Sequence, residues 1–130
     1  MKILMAEDDF TSRKILQIIL EKYGNLDIAA NGAEAVKAVK YSYAQGEPYD
    51  FICLDIMMPK KSGQETLKEI REIEKENGIL EGDGAKIIMT TALGDSVNVM
   101  AAFREQADGY LVKPISATDI NNKMQELGLI

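Results

Sequence analysis

Phe51-Ile52-Cys53-Leu54-Asp55-Ile56-Met57-Met58-Pro59 is the stretch that decides the fold of this chain. Four apolar residues in a row, closed by an acid and soon stopped by a proline, suit a strand buried on both faces. Central strands of a parallel sheet have that composition. On either side, short apolar runs alternate with longer stretches of helical period, the pattern of such a sheet with helices packed over it. Strands are expected over Ile3–Ala6, Asp27–Ala30, Phe51–Leu54, Lys86–Thr90 and Tyr110–Val112. The first helix, Phe10–Tyr23, carries Ile15, Ile18, Ile19 and Leu20 on one stripe and stops at Gly24. Asn31 caps a second helix, with Glu34 three residues on and Ala35, Val36 and Val39 facing inward. Ser62-Gly63-Gln64-Glu65 has capping-box spacing and opens a third helix through Leu67, Ile70 and Ile73. Gly94–Glu105 and Ser116–Leu127 supply the fourth and fifth.

Five βα units over residues 1–130 define the expected class: α/β, one domain. It is a three-layer (βα)5 flavodoxin-like sandwich around a parallel five-stranded sheet of order 2-1-3-4-5. Right-handed crossovers place helices one and five on one face and helices two to four on the other. The glycine-rich stretch Asn77–Gly84 is a connector between the third helix and the fourth strand.

Composition removes several classes of function. A net charge of −6, with a sequence pI near 4.7, lacks the basic footprint of sequence-independent nucleic-acid binding. No run approaches the ~20 apolar residues needed to cross a bilayer. The first residues lack the apolar core of a signal peptide, so the cytoplasm is the expected compartment. The 130 residues hold no histidine and a single cysteine, Cys53, placed in an apolar run and read as a buried strand thiol. Histidine triads, histidine zinc sites and thiolate-rich metal sites are therefore out of reach. The available chemistry is that of carboxylates, hydroxyls, lysine and main-chain groups.

In open parallel sheets, sites form beyond the carboxyl ends of the strands. There this chain has Glu7-Asp8-Asp9 after the first strand, Asp55 closing the third, Thr91-Ala92 after the fourth and Lys113-Pro114 after the fifth. Carboxylates gathered in one place repel by roughly 4 kcal/mol per pair at about 4 Å and an effective dielectric near 20. Hard oxygen donors with room for water and phosphate oxygens suit Mg²⁺, with Mn²⁺ as the alternative. Glu7-Asp8-Asp9 could equally be solvated acids at a helix N-terminus, but an acid that ends a central apolar strand is hard to explain as surface. Lys113 can neutralise a carboxylate and hold a phosphoryl oxygen as a point charge. The Thr91 hydroxyl and the Ala92 main-chain N–H can donate beside it, whereas Thr90 should point the other way. Asp55 as nucleophile, with a metal and Lys113 offsetting charge, meets the needs of phosphoryl transfer to a carboxylate.

Glu7-Asp8, Leu54-Asp55-Ile56-Met57-Met58-Pro59, Thr91-Ala92 and Gly109-Tyr110-Leu111-Val112-Lys113-Pro114 resemble the receiver domains of two-component response regulators, over essentially the whole chain. The resemblance implies a CheY-like phosphoprotein with Asp55 as phosphoacceptor. It also implies Mg²⁺ bound directly by Asp8 and through water by Glu7, with the Met57 carbonyl completing the protein ligands. Taking Glu7-Asp8 as the acidic pair follows from the length of the first strand, and Asp9 is then the residue after it. Thr91 and Tyr110 become switch residues, altering the face of the fourth helix, fifth strand and fifth helix that meets a target. The donor would be a sensor histidine kinase or a phosphotransfer protein, and the reader a downstream target protein, with neither nucleic acid nor membrane contacted directly. Such a protein is a phosphoacceptor switch that catalyses its own phosphorylation and dephosphorylation rather than a turnover enzyme. Ser62-Gly63 departs from the family's common Asp-Gly, a change in a loop. Met57 and Leu93 stand at positions that tune hydrolysis, and both are apolar. With no output domain after Ile130, a complete chain would act by protein contact, as a chemotaxis-type regulator or a relay intermediate.

Three rivals remain at this point. A flavin module would need a hydroxyl- and glycine-rich phosphate loop where this chain is acidic. An Asp-nucleophile phosphatase would need Asp-x-Asp after the first strand, which Asp8-Asp9-Phe10 does not supply. A non-phosphorylated interaction domain on the same scaffold would normally have lost one of Asp8, Asp55, Thr91 or Lys113.

Overall fold

A computed structural model of the chain describes residues 1–92 and 106–130. In chain order these form β1 (Lys2–Ala6), α1 (Phe10–Leu20), β2 (Asn25–Ala29), α2 (Gly32–Ala44), β3 (Phe51–Asp55), α3 (Gly63–Glu76), β4 (Lys86–Thr91), β5 (Gly109–Val112) and α4 (Ala117–Glu126). The helix expected over Gly94–Glu105 lies outside the described residues, so the last helix is labelled α4. All strand pairings are parallel and the order is β2-β1-β3-β4-β5, as expected.

Alternation along the strands explains why the central runs are apolar throughout. Leu4, Ile52, Leu54 and Ile87 face one side, where they meet Val39 of α2 and Leu67 and Ile70 of α3. Ile3, Met5, Phe51, Cys53 and Ile88 face the other, against Leu16 and Leu20 of α1 and Ile120 and Met124 of α4. Each fully buried Leu, Ile or Phe stabilises by about 1.5–3 kcal/mol, and β3 contributes to both cores at once. Cys53 is buried, and desolvation pushes its thiol pKa up, consistent with an inert core residue.

Several local expectations need correction. Strand β2 starts at Asn25 and ends at Ala29. Asn25 pairs with Lys2 and donates its N–H to the Met1 carbonyl at 2.9 Å, so pairing with β1 overrides the polar character of its first residues. Helix α1 ends at Leu20 because the Tyr23 N–H turns back to the Leu20 carbonyl at 3.0 Å. Its buried face is Leu16, Ile19 and Leu20, while Ile15 and Ile18 point outward with Phe10. The capping box at Ser62 is only half made: Ser62 accepts from the Glu65 N–H, but the Glu65 carboxylate takes the Ser62 hydroxyl. A complete box forms instead at α4, where Ser116 and Asp119 exchange backbone-to-side-chain bonds of 3.0 and 3.1 Å.

Candidate functional site

The carboxyl ends of β1, β3, β4 and β5 converge, and most of the expected residues meet there. Strand β1 delivers Glu7, an acid that is 0% exposed, while Asp8 and Asp9 are exposed. The Asp9 carboxylate caps α1 by accepting the Ser12 N–H at 2.9 Å, and that backbone bond holds its pKa below the usual range. Strand β3 delivers Asp55, 5% exposed, at the end of a fully buried strand. Glu7, Asp8 and Asp55 each offer a carboxylate oxygen, and the three lie within 4.8 Å of one another.

The loop after β3 is drawn tightly back. The Ile56 N–H bonds the Thr90 carbonyl at 3.0 Å, and the Gly63 N–H bonds the Ile56 carbonyl at 2.9 Å. A Cβ at Gly63 would run into the Asp55 carbonyl oxygen, so glycine is required where α3 begins. In the sequence Gly63 is legible only as part of a capping pattern. Its close approach to the end of β3 gives no sequence signal, and neither does Arg13, whose Nη1 donates to the Glu7 carbonyl at 3.3 Å. Met57 sits on this loop with its side chain 71% exposed.

Thr91 is buried at the end of β4 and its hydroxyl lies 3.4 Å from the Ala92 carbonyl. Its own carbonyl accepts the Lys113 N–H at 2.7 Å, which ties β5 to the rim. Thr90 is also buried, paired in register with Asp55. Tyr110 points out from β5, 42% exposed. Leu93 lies outside the described residues.

Lys113 reaches across this rim. Its Nζ lies 2.6 Å from Glu7 Oε1 and 3.4 Å from Asp55 Oδ2. The nearer contact is a meeting of charges without a directed hydrogen bond, so Glu7 Oε1 remains a buried oxygen with no hydrogen-bond partner among the described residues. Burial, then hydrogen bonding and repulsion from Glu7, push the Asp55 pKa up to about 7, with Lys113 opposing the shift. Burial pulls the Lys113 pKa down, but Glu7 and Asp55 outweigh it and the ammonium titrates above its ordinary value. Three clustered carboxylates, two of them against the Lys113 ammonium and one with an orphaned buried oxygen, form an all-oxygen donor set that fits a divalent cation of the Mg²⁺ kind.

Fold and rim together define a class, that of parallel α/β proteins with a buried carboxylate held between acids and a lysine at the carboxyl edge of the sheet. Within that class the comparison with known proteins is specific: residues 3–125 match the response regulator receiver domain, and the chain belongs to that family of two-component signalling. It is 32% identical over 127 residues to the chemotaxis protein CheY of Halobacterium salinarum, covering 97% of this chain and 95% of that protein. Identity to the transcriptional regulatory protein ResD of Bacillus subtilis is 34% over 128 residues. That match takes in 97% of this chain but 47% of ResD, so the chain spans about half the length of this relative. Among solved structures it is similar to the Saccharomyces cerevisiae Ssk1 receiver domain, crystallised with the histidine phosphotransfer protein Ypd1. The TM-score is 0.79 at 28% identity, over 98% of this chain and 88% of that one. It is similar also to the receiver domain of the Arabidopsis thaliana histidine kinase CKI1 complexed with Mg²⁺ and BeF3⁻. There the TM-score is 0.79 at 29% identity, over 98% and 89% of the two chains. Among the described residues no helix is long and apolar enough to cross a membrane.

Proposed function

We propose that residues 1–130 form one receiver domain that accepts a phosphoryl group on Asp55 from the phosphohistidine of a kinase or phosphotransfer protein. The observation that carries this reading is the buried Asp55 carboxylate with Lys113 3.4 Å away and Glu7 and Asp8 gathered beside it. An Asp55 oxygen attacks phosphorus, the P–N bond breaks, and the donor imidazole leaves with the electron pair. Lys113 carries the charge that offsets the transferring oxygens, and the Thr91 hydroxyl and Ala92 N–H donate to them. Asp8, Asp55 and the Met57 carbonyl would hold Mg²⁺ directly and Glu7 through water; when bound, the ion supplies charge neutralisation at the phosphoryl oxygens. The complexes of the Ssk1 and CKI1 receivers support both the donor class and the metal. A small-molecule donor such as acetyl phosphate, given with Mg²⁺, should add one phosphoryl group by intact mass, and a chelator should prevent it. No uptake under either condition would sink the reading.

After transfer, about two negative charges sit at the rim. Thr91 and Lys113 are drawn toward them, and Tyr110, exposed on β5 in this structure, turns inward toward the space Thr91 leaves. Partner affinity then changes on the face that includes β5 and α4. Comparing Tyr110 with and without a beryllofluoride mimic tests the switch, and an unchanged rotamer contradicts it. Apolar Met57 cannot position an attacking water by hydrogen bonding, so phosphoryl-Asp55 is expected to last minutes or longer. Decay within seconds in purified protein would refute that.

Phe10, Ile15 and Ile18 are exposed apolar residues on α1, the helix that follows Glu7-Asp8-Asp9, and Ile18 is 64% exposed. These residues are where the donor protein docks in our reading. Ile18→Asp should slow transfer from a phosphotransfer protein by about tenfold, the scale of one interface anchor. Acetyl phosphate labelling should stay unchanged. Equal loss with both donors would place the effect in the fold instead.

A further inference from the structure

Strand β2 is an edge of the sheet, paired only with β1. Along a parallel ladder the residues alternate, each turning both main-chain groups toward one neighbour or away from it. Asn25 donates to the Met1 carbonyl at 2.9 Å, and Ala29 accepts the Glu7 N–H at 3.2 Å, so residues 25, 27 and 29 face β1. Leu26 and Ile28 therefore turn their N–H and C=O groups outward, and among the described residues nothing takes them up. The row closes at Ala30, whose N–H meets Glu34 Oε1 at 3.4 Å. A strand edge open in this way is a template for another strand.

Between this edge and α2 lies a groove of about 480 Å³, lined in part by Ala38, Tyr41 and Tyr49 and by Asp27, Glu34 and Lys37. Asp27 is exposed at the middle of β2, and its Oδ2 accepts the Tyr49 hydroxyl at 2.6 Å. Among the described residues it forms no ion pair. A second recess runs from Asp27 to Glu47 and Asp50. Its lysine, Lys2, is already engaged: Nζ donates to the Glu47 carbonyl at 2.6 Å and stands 4.7 Å from the centre of the Tyr49 ring. Acids thus outnumber lysines along the edge, and the exposed Tyr41 offers a ring face to a further cation.

We propose that the β2 edge is a docking site for an extended segment of a partner protein, which adds one strand to the sheet and sets an arginine or lysine against Asp27 in the groove. The main chain of the segment bonds Leu26 and Ile28, and its alternate side chains enter the groove. The other side chains lie on the opposite face of the sheet, where Leu26 packs toward α1 and α4 and Ile28 is exposed. Charge argues against a second copy of this chain as the occupant. Two β2 strands paired antiparallel over their full length would set Asp27 against Asp27, and like charges directly opposite are destabilising. None of these residues belongs to the acidic rim, so the docking does not depend on the chemistry at Asp55.

NMR titration of the full chain with a capped peptide of alternating valine and arginine tests this. The peptide should shift the amides of Leu26, Asp27 and Ile28, and slow hydrogen exchange at Leu26 and Ile28 by about tenfold or more at saturation. Glutamate in place of the arginines should weaken binding by about tenfold, and Asp27→Asn by about fivefold, the scale of cross-strand charge pairs. Methylating alternate main-chain nitrogens of the peptide should abolish binding for one of the two possible sets and spare it for the other. Equal binding of the glutamate peptide, or of both methylated sets, would overturn the proposal, and neither comparison requires Asp27→Asn to fold. So would millimolar peptide that leaves exchange at Leu26 and Ile28 unchanged. Protection of both amides without peptide, in a dimer seen by sedimentation, would assign the edge to a second copy and overturn it equally.

Discussion

Asp55→Asn is expected to lower phosphoryl uptake by more than about a thousandfold, the scale of removing a nucleophile, and to stabilise the metal-free protein at neutral pH. The two effects share a cause. The carboxamide keeps the shape of the side chain but has no nucleophilic oxygen for phosphorus, and it also removes one of three mutually repelling charges. The pH dependence follows from the raised Asp55 pKa of about 7 against an ordinary 3.8. Between those values the unfolded chain has released a proton that the folded protein keeps, so stability falls as pH rises from about 4 to about 7. Below that window the carboxyl is neutral in both states and the contribution is fully present. Thermal melts of the metal-free proteins should therefore coincide near pH 3 and separate by pH 8, with Asp55→Asn the higher. Mg²⁺ should narrow the gap. A variant that melts lower at pH 8 would mean that Lys113 stabilises the charged Asp55 more than burial and Glu7 destabilise it.

The second large effect lies at the opposite end of the sheet. Arg71→Ala should destabilise the fold by about 3 kcal/mol, as expected when one partner of a mostly buried ion pair is removed. The guanidinium of Arg71 on α3 donates to the Gln106 carbonyl at 2.8 Å, the Ala85 carbonyl at 2.9 Å, Glu74 Oε1 at 2.7 Å and Asp108 Oδ2 at 2.9 Å. One side chain thus ties the middle of α3 to the entrances of β4 and β5. Among the described residues, truncation leaves the buried Glu74 carboxylate with only the Ala85 N–H, at 2.8 Å. Glu74→Gln placed in the Arg71→Ala background should recover part of the loss by removing the stranded charge. Denaturant unfolding measures both, and a loss under about 0.5 kcal/mol would show the network to be no better than a surface ion pair.

This network also marks where the sequence stops being legible. Arg71 falls on a helix among other charged residues, and its partners at positions 85, 106 and 108 are brought near only by the fold. Phe51–Leu54 could be read in advance because a strand buried on both faces leaves its mark within four residues. Strand β2 could not be bounded so well, since its start at Asn25 depends on pairing with Lys2. The outward Ile15 and Ile18 defeated the reading of the α1 stripe, because an exposed apolar residue looks the same in the sequence as a buried one. At the rim, strand-end positions placed Glu7, Asp8, Asp55, Thr91 and Lys113 together without help from the structure. What they could not supply was that Lys113 lies nearer Glu7 than Asp55, because the choice between two acids a few ångströms apart is a matter of burial and angle.

The central claim is that the phosphoryl group goes to Asp55. Reductive trapping tests it most directly: protein phosphorylated in the presence of Mg²⁺ is treated with borohydride, which converts an aspartyl phosphate to homoserine, and is then mapped by peptide mass spectrometry. The account predicts homoserine at position 55 and nowhere else. Homoserine at position 8 or 9, or a phosphoryl group retained through reduction on a serine or threonine, would contradict it.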